Sequence, residues 1–99
     1  MADADASWLR QRVIDAALDL TRTGLSPNMS GNVSAREGGS VFITPSGIAY
    51  PDLLPGDIVE IALDGRVLSG AEAPSSEWQM HCAIYEAVSY THLTLPTSD

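Results

Sequence analysis

Three short polar turns hold most of the groups in this chain that could do chemistry: Ser30-Gly31-Asn32, Thr44-Pro45-Ser46-Gly47 and Ser75-Ser76. Each sets hydroxyls or an amide beside backbone N–H groups in a tight bend. Such bends bind an anion without Lys or Arg, through hydroxyl donors, N–H nests and a helix N-terminus. Taken singly, each also reads as a plain bend, because Ser, Gly and Asn are ordinary turn formers. Glu77 adds a carboxylate beside the third turn. At a helix start it reads as a capping-region glutamate, favoured by the helix dipole. In the same place it could ligate a metal or serve as a general base. His81 follows by four residues and shares that helix face. A Glu-x-x-x-His pair can hold a metal, but a packed or surface histidine accounts for His81 better. Trp78, Met80, Ile84 and Tyr85 read as packing residues.

The elements that must position these groups follow from pattern. Trp8 to Thr23 is an amphipathic helix, with Leu9, Val13, Ala16, Ala17 and Leu20 at helical spacing. Asp3, Asp5 and Ser7 suit its positive end, and Gly24 is a ready C-cap. Leu25–Gly31 is loop by composition. Asn32–Arg36 alternates, with Val33 and Ala35 on one face and Asn32, Ser34 and Arg36 on the other, which predicts a strand. Glu37-Gly38-Gly39 turns it into a partner strand, Ser40–Thr44. A connector follows, with room for one helical turn at Asp52–Leu54. Ile58–Leu63 and Arg66–Leu68 form a second strand pair around Asp64-Gly65. Ser69–Pro74 is loop, and Ser76–Ala87 a second helix with Ser75 or Ser76 as N-cap and Glu77 in its first turn.

Bulk properties narrow the classes. The 99 residues make one domain at most, and 44% hydrophobic content is ordinary for a globular chain. A net charge of −8 with five Lys+Arg excludes a nucleic-acid binder and a binder of anionic membranes. Any phosphate must therefore be held by neutral donors or a metal. Cys82 is the one cysteine, so there is no internal disulfide, and it reads as a small apolar helix residue. No apolar run approaches the roughly 20 residues of a membrane span, and the acidic N-terminus lacks a signal peptide's basic region. The expected location is cytoplasmic.

Taken together, the motifs resemble the class II aldolase/adducin family. Gly24-Leu25, Ser30-Gly31-Asn32-Val33-Ser34, Ile43-Thr44-Pro45-Ser46-Gly47-Ile48 and Pro74-Ser75-Ser76-Glu77-Trp78 stand in that family's order and spacing, from about Trp8 to Ala87. The resemblance implies a three-layer α/β/α sandwich with a mainly antiparallel sheet, of which this chain is the N-terminal half, usually assembled as a homotetramer. It implies a carbon–carbon lyase that uses Zn²⁺ or another divalent metal to cleave a phosphorylated sugar, such as L-fuculose 1-phosphate, to dihydroxyacetone phosphate and an aldehyde. It places the substrate phosphate on Gly31, Asn32, Ser46, Gly47, Ser75 and Ser76. It makes Glu77 both a metal-side residue and the catalytic acid/base, and His81 not a ligand. Sugar-phosphate epimerases and dehydratases share these motifs, as does a non-catalytic adducin-like interaction module.

The end of the chain departs from this pattern. The family continues past Ala87 to a His-x-His pair and a third histidine, whereas here His92 stands without a second imidazole at ligand spacing. Residues 1–87 are read as the family portion. Residues 88–99 are read as a non-native tail, since Ser89–Thr97 is similar to translated sequencing-adapter DNA. The expectation is a chain that is inactive by itself and binds metal weakly. An independent assembly of the source DNA that codes through residues 88–99 would contradict the reading of the tail.

Overall fold

A computed structural model describes residues 2–22, 31–70, 72–87 and 92–98. A helix, α1 (Ala2–Arg22), precedes β1 (Gly31–Glu37), β2 (Ser40–Ile43), β3 (Val59–Ala62) and β4 (Val67–Ser69). A second helix, α2 (Trp78–Ala87), and a last strand, β5 (His92–Ser98), complete the order. The strands form one antiparallel sheet, β4-β3-β2-β1-β5.

Side chains alternate across a strand, so each strand feeds two layers. On one face, Leu9, Val13, Ile14 and Ala17 of α1 pack on Val33, Ala35 and Phe42, with Tyr50, Leu53 and Ile58 beside them. On the other, Cys82 and Tyr85 of α2 pack on Val41, Ile43, Val59 and Ile61, flanked by Trp78 and Leu63. The layers are therefore α/β/α, as expected. Two polar positions of β1, Asn32 and Ser34, do not face water. They are buried against α2, and Arg36 donates from Nη1 to the Tyr85 carbonyl near the end of that helix at 2.7 Å.

Arg10 ties α1 to the β3–β4 edge of the sheet, on the face that α1 covers. Its guanidinium donates to the Ile58 carbonyl and the Ser69 hydroxyl, lies 4.0 Å from Glu60 and stacks 5.2 Å from the Phe42 ring centroid. Glu60 in turn accepts from Ser40 and Ser69. An arginine in such a place donates to several fixed acceptors and packs its planar head on an aromatic face.

Several boundaries differ from the sequence expectation. The helix begins at Ala2 rather than Trp8, and alanine, frequent in the added stretch, has the highest helix propensity. The connector carries two 3-10 turns, Tyr50–Asp52 and Pro55–Asp57, instead of one helical turn at Asp52–Leu54. Proline in the first turn of each supplies the φ that such a turn needs. The Leu25–Ser30 loop and the Gly24 cap lie outside the described residues. His92–Ser98, where no strand was expected, pairs with all seven positions of β1 from Gly31↔Ser98 to Glu37↔His92. An open strand edge is a template for any extended segment, and Pro96 is tolerated in an outermost strand.

Gly65 fixes how α2 meets the β3–β4 turn. Its φ is +92°, and a Cβ there would sit 2.2 Å from Cη2 of the Trp78 ring. Gly65→Ala is expected to cost about 2 kcal/mol or more, from backbone strain and displacement of the indole. Gly39→Ala, where a Cβ meets nothing within 4 Å, should stay within about 0.5 kcal/mol. Urea unfolding of both variants checks this, and equal losses would contradict it.

Candidate anion-binding site

Thr44 joins the three turns. Its N–H donates to the Val33 carbonyl at 3.0 Å, and its Oγ1 accepts from the Val33 N–H at 3.2 Å. Its carbonyl accepts from the Ser75 N–H at 3.0 Å. One buried residue thus bonds the start of β1 on one side and the approach to α2 on the other. Next to it, Pro45 and Pro74 form an isolated antiparallel bridge. Its hydrogen bonds are made by the neighbours, Ser75 N–H to Thr44 and Ser46 N–H to the Ala73 carbonyl at 3.1 Å. The prolines occupy a non-hydrogen-bonded pair, the antiparallel position that asks for no N–H from either residue.

Around this bridge lie the residues singled out from the sequence. Ser46 and Gly47 form an exposed turn, and the φ of +89° at Gly47 is one that glycine adopts without strain. Ser75 is buried, and its Oγ accepts from the Glu77 N–H at 3.2 Å. A hydroxyl oxygen that accepts also keeps a proton to donate. Ser76 is exposed and Glu77 half-buried. Gly31 is the first residue of β1, and Asn32 is buried beside it with Oδ1 accepting from Nε2 of His81. Hydrogen bonds thus connect all three motif segments, directly at Thr44 and through α2 at Asn32.

Glu77 stands elsewhere than expected. It immediately precedes α2, and its carbonyl accepts the first helical bonds, from Met80 N–H at 3.1 Å and His81 N–H at 3.4 Å. Ser75 closes a separate turn just before, with its carbonyl accepting from Trp78 N–H at 3.1 Å. The Ser75 hydroxyl accepts the Glu77 N–H, a cap-type bond at the entry to α2 of the kind expected of Ser75.

His81 is fully buried with both ring nitrogens engaged, Nε2 to Asn32 and Nδ1 to Ser34 Oγ at 2.5 Å. It is a packed histidine, not half of a metal pair with Glu77. Ser34 Oγ also meets Tyr85 Oη at 2.7 Å. Sequence reasoning passed over Ser34 and took Tyr85 as packing alone. Ser34 shares a strand face with Asn32 and Tyr85 a helix face with His81, but nothing local brings the two faces together. Burial lowers the His81 pKa from 6.5 to about 4 and pushes the Tyr85 phenol up to about 12.

Residues 11–95 match the class II aldolase and adducin N-terminal domain family, and the chain belongs to that family. The match runs past Ala87, where the motif resemblance stops, into β5. An L-ribulose-5-phosphate 4-epimerase, UlaF, of Salmonella paratyphi C (strain RKS4594) is 43% identical over 98 residues, covering 91% of this chain and 43% of the epimerase. An L-fuculose phosphate aldolase of Escherichia coli (strain K12) is 42% identical over 79 residues, 80% of this chain and 36% of the aldolase. The solved structure of an L-fuculose 1-phosphate aldolase superposes with a TM-score of 0.77 at 34% identity, covering 81% of this chain and 39% of that one. The chain thus spans less than half the length of these relatives.

The buried imidazole makes stability pH-dependent. Unfolded, His81 takes a proton near 6.5; folded, it resists until about 4. The unfolded state therefore binds more protons in that window, so stability is full above it and falls as pH drops. The loss from this group should reach about 2 kcal/mol between about pH 7.5 and about pH 5. Urea midpoints across that range check the slope. Stability that is flat, or that rises on acidification, would contradict it.

Proposed function

We propose that this chain carries the phosphate grip and the acid/base carboxylate of a sugar-phosphate enzyme. The observation that supports it most is the stitching of the three polar turns through Thr44. Backbone N–H groups and hydroxyls gathered in bends suit a phosphate, and a net charge of −8 requires donors of this local kind. In this proposal Gly31, Asn32, Ser46, Gly47, Ser75 and Ser76 fix the phosphate. Glu77, next to that grip, moves a proton at the carbon beside the substrate carbonyl. Holding the substrate by a remote phosphate supplies much of the rate by orientation.

The family chemistry generally relies on a divalent cation, Zn²⁺ or another, to polarise the carbonyl oxygen. Among the described residues no three His, Cys, Asp or Glu side chains gather to hold one, and Glu77 offers a single carboxylate. These residues do not make such a site by themselves, so no step is assigned to the cation here. The 99-residue chain alone is expected to turn over no substrate.

The reaction read for the whole protein is aldol cleavage of a phosphorylated sugar such as L-fuculose 1-phosphate to dihydroxyacetone phosphate and an aldehyde. The whole protein would act in the cytoplasm as a homotetramer, without nucleic-acid or membrane partners. The 43% identity to an L-ribulose-5-phosphate 4-epimerase favours epimerisation as the second reading. Residues 88–99 remain, in this proposal, a non-native tail.

Assaying the full-length gene product with both sugar phosphates separates cleavage from epimerisation, and activity with neither would favour an adducin-like interaction module. In the active protein, Glu77→Gln should lower kcat by about a thousandfold, the range of a lost general acid/base, with KM nearly unchanged. Intact kcat with a greatly raised KM would overturn the role given to Glu77.

A further inference from the structure

Val33 and Thr44 stand opposite each other one step beyond Ser34↔Ile43, the last paired positions of β1 and β2. In a hydrogen-bonded antiparallel pair the two residues exchange both backbone bonds, each N–H to the other's carbonyl. One half of that exchange is regular here, from the Thr44 N–H to the Val33 carbonyl. The other half is not. The Val33 N–H donates to the Thr44 hydroxyl oxygen in place of the Thr44 carbonyl. That carbonyl leaves the ladder and accepts from the Ser75 N–H. Every donor in this set is a backbone N–H, so the direction of each bond is fixed. Val33 is fully buried. Without the hydroxyl its N–H would stay unsatisfied or take the Thr44 carbonyl back.

We infer that Thr44 is a positioning residue: its hydroxyl replaces its own carbonyl as the ladder acceptor for Val33, which frees that carbonyl to hold the Ser75–Ser76 turn beside Ser46–Gly47 for the phosphate. The inference rests on the phosphate grip proposed above. The two N–H donors come from different segments, β1 and the approach to α2. A hydrogen bond weakens steeply as it bends, so a carbonyl aimed at Ser75 leaves Val33 to the side chain. Serine at position 44 keeps such an acceptor. Valine, close to threonine in shape, does not. The exchange also explains why a polar side chain sits with 1% of its surface exposed at the end of an otherwise apolar Val41-Phe42-Ile43 run. Thr44 acts on the phosphate through Ser75 alone.

The test uses the 99-residue chain, NMR and titration with inorganic phosphate. In the unsubstituted chain a scalar coupling through the hydrogen bond is expected from the Ser75 amide nitrogen to the Thr44 carbonyl carbon, and none from the Val33 nitrogen to that carbon. A Val33-to-Thr44 coupling overturns the inference and needs no variant to fold. In Thr44→Val the carbonyl should return to Val33. The Ser75 amide should then lose about tenfold in hydrogen-exchange protection relative to the β2 and β3 amides, and phosphate should bind about tenfold more weakly, the size of one hydrogen bond. Thr44→Ser keeps the hydroxyl and should bind phosphate as the unsubstituted chain does. Protection lowered alike at every amide of Thr44→Val would mark a merely structural role and overturn the inference. So would a Thr44→Ser variant as weak for phosphate as Thr44→Val. Phosphate binding unchanged in Thr44→Val, with Ser75 released, overturns the positioning role while the grip still stands. No phosphate binding by the unsubstituted chain overturns the grip, and the positioning role with it.

Discussion

Thr44 spends its N–H, its carbonyl and its hydroxyl on partners from two other segments, and it does so with 1% of its surface exposed. A buried N–H or carbonyl left without a partner costs about 1–3 kcal/mol, so the three bonds hold those segments to one arrangement. Val33 is fixed on one side and Ser75 on the other. The Ser46–Gly47 turn projects from the same point because Pro45 and Pro74 close the bridge without needing N–H donors. Every other feature of the candidate site is placed relative to this knot.

The rest of the fold supports that knot from both faces. α1 packs an apolar stripe on Val33, Ala35 and Phe42, and Arg10 fastens it across to β3 and β4. α2 packs on the opposite face, and its first residue, Trp78, is seated by the close approach of Gly65. Three of the five arginines are engaged within the chain. Arg10 and Arg36 are bound to carbonyls, and Arg22 pairs with Asp19 at 2.5 Å. In the proposed site, the anion would be held by oriented dipoles at short range.

Much of this was legible in the residues. Period-two alternation placed Val33 and Ala35 on one strand face, and Gly38-Gly39 and Asp64-Gly65 marked the two hairpin turns, because those signals are local. The registration of the serine turns with one another was legible only as a family pattern, since turn composition has no long-range content. Three things were not legible. Glu77 falls just before its helix, with its N–H capped by the Ser75 hydroxyl, because the exact first residue of a helix is set by turn geometry that composition does not rank. β5 depends on the open edge of β1, which no single segment reveals. The row from Tyr85 to Asn32 joins residues about 50 positions apart, and a serine in a strand gives no sign that a histidine will sit above it.

The central claim is that residues from three separated turns make one anion site. An amide ¹⁵N–¹H titration of the chain with inorganic phosphate tests it most directly. The account predicts that Asn32, Ser46, Gly47, Ser75 and Ser76 shift together and saturate along a single binding curve. Shifts scattered over the surface, or confined to one turn while the others stay still, would contradict it.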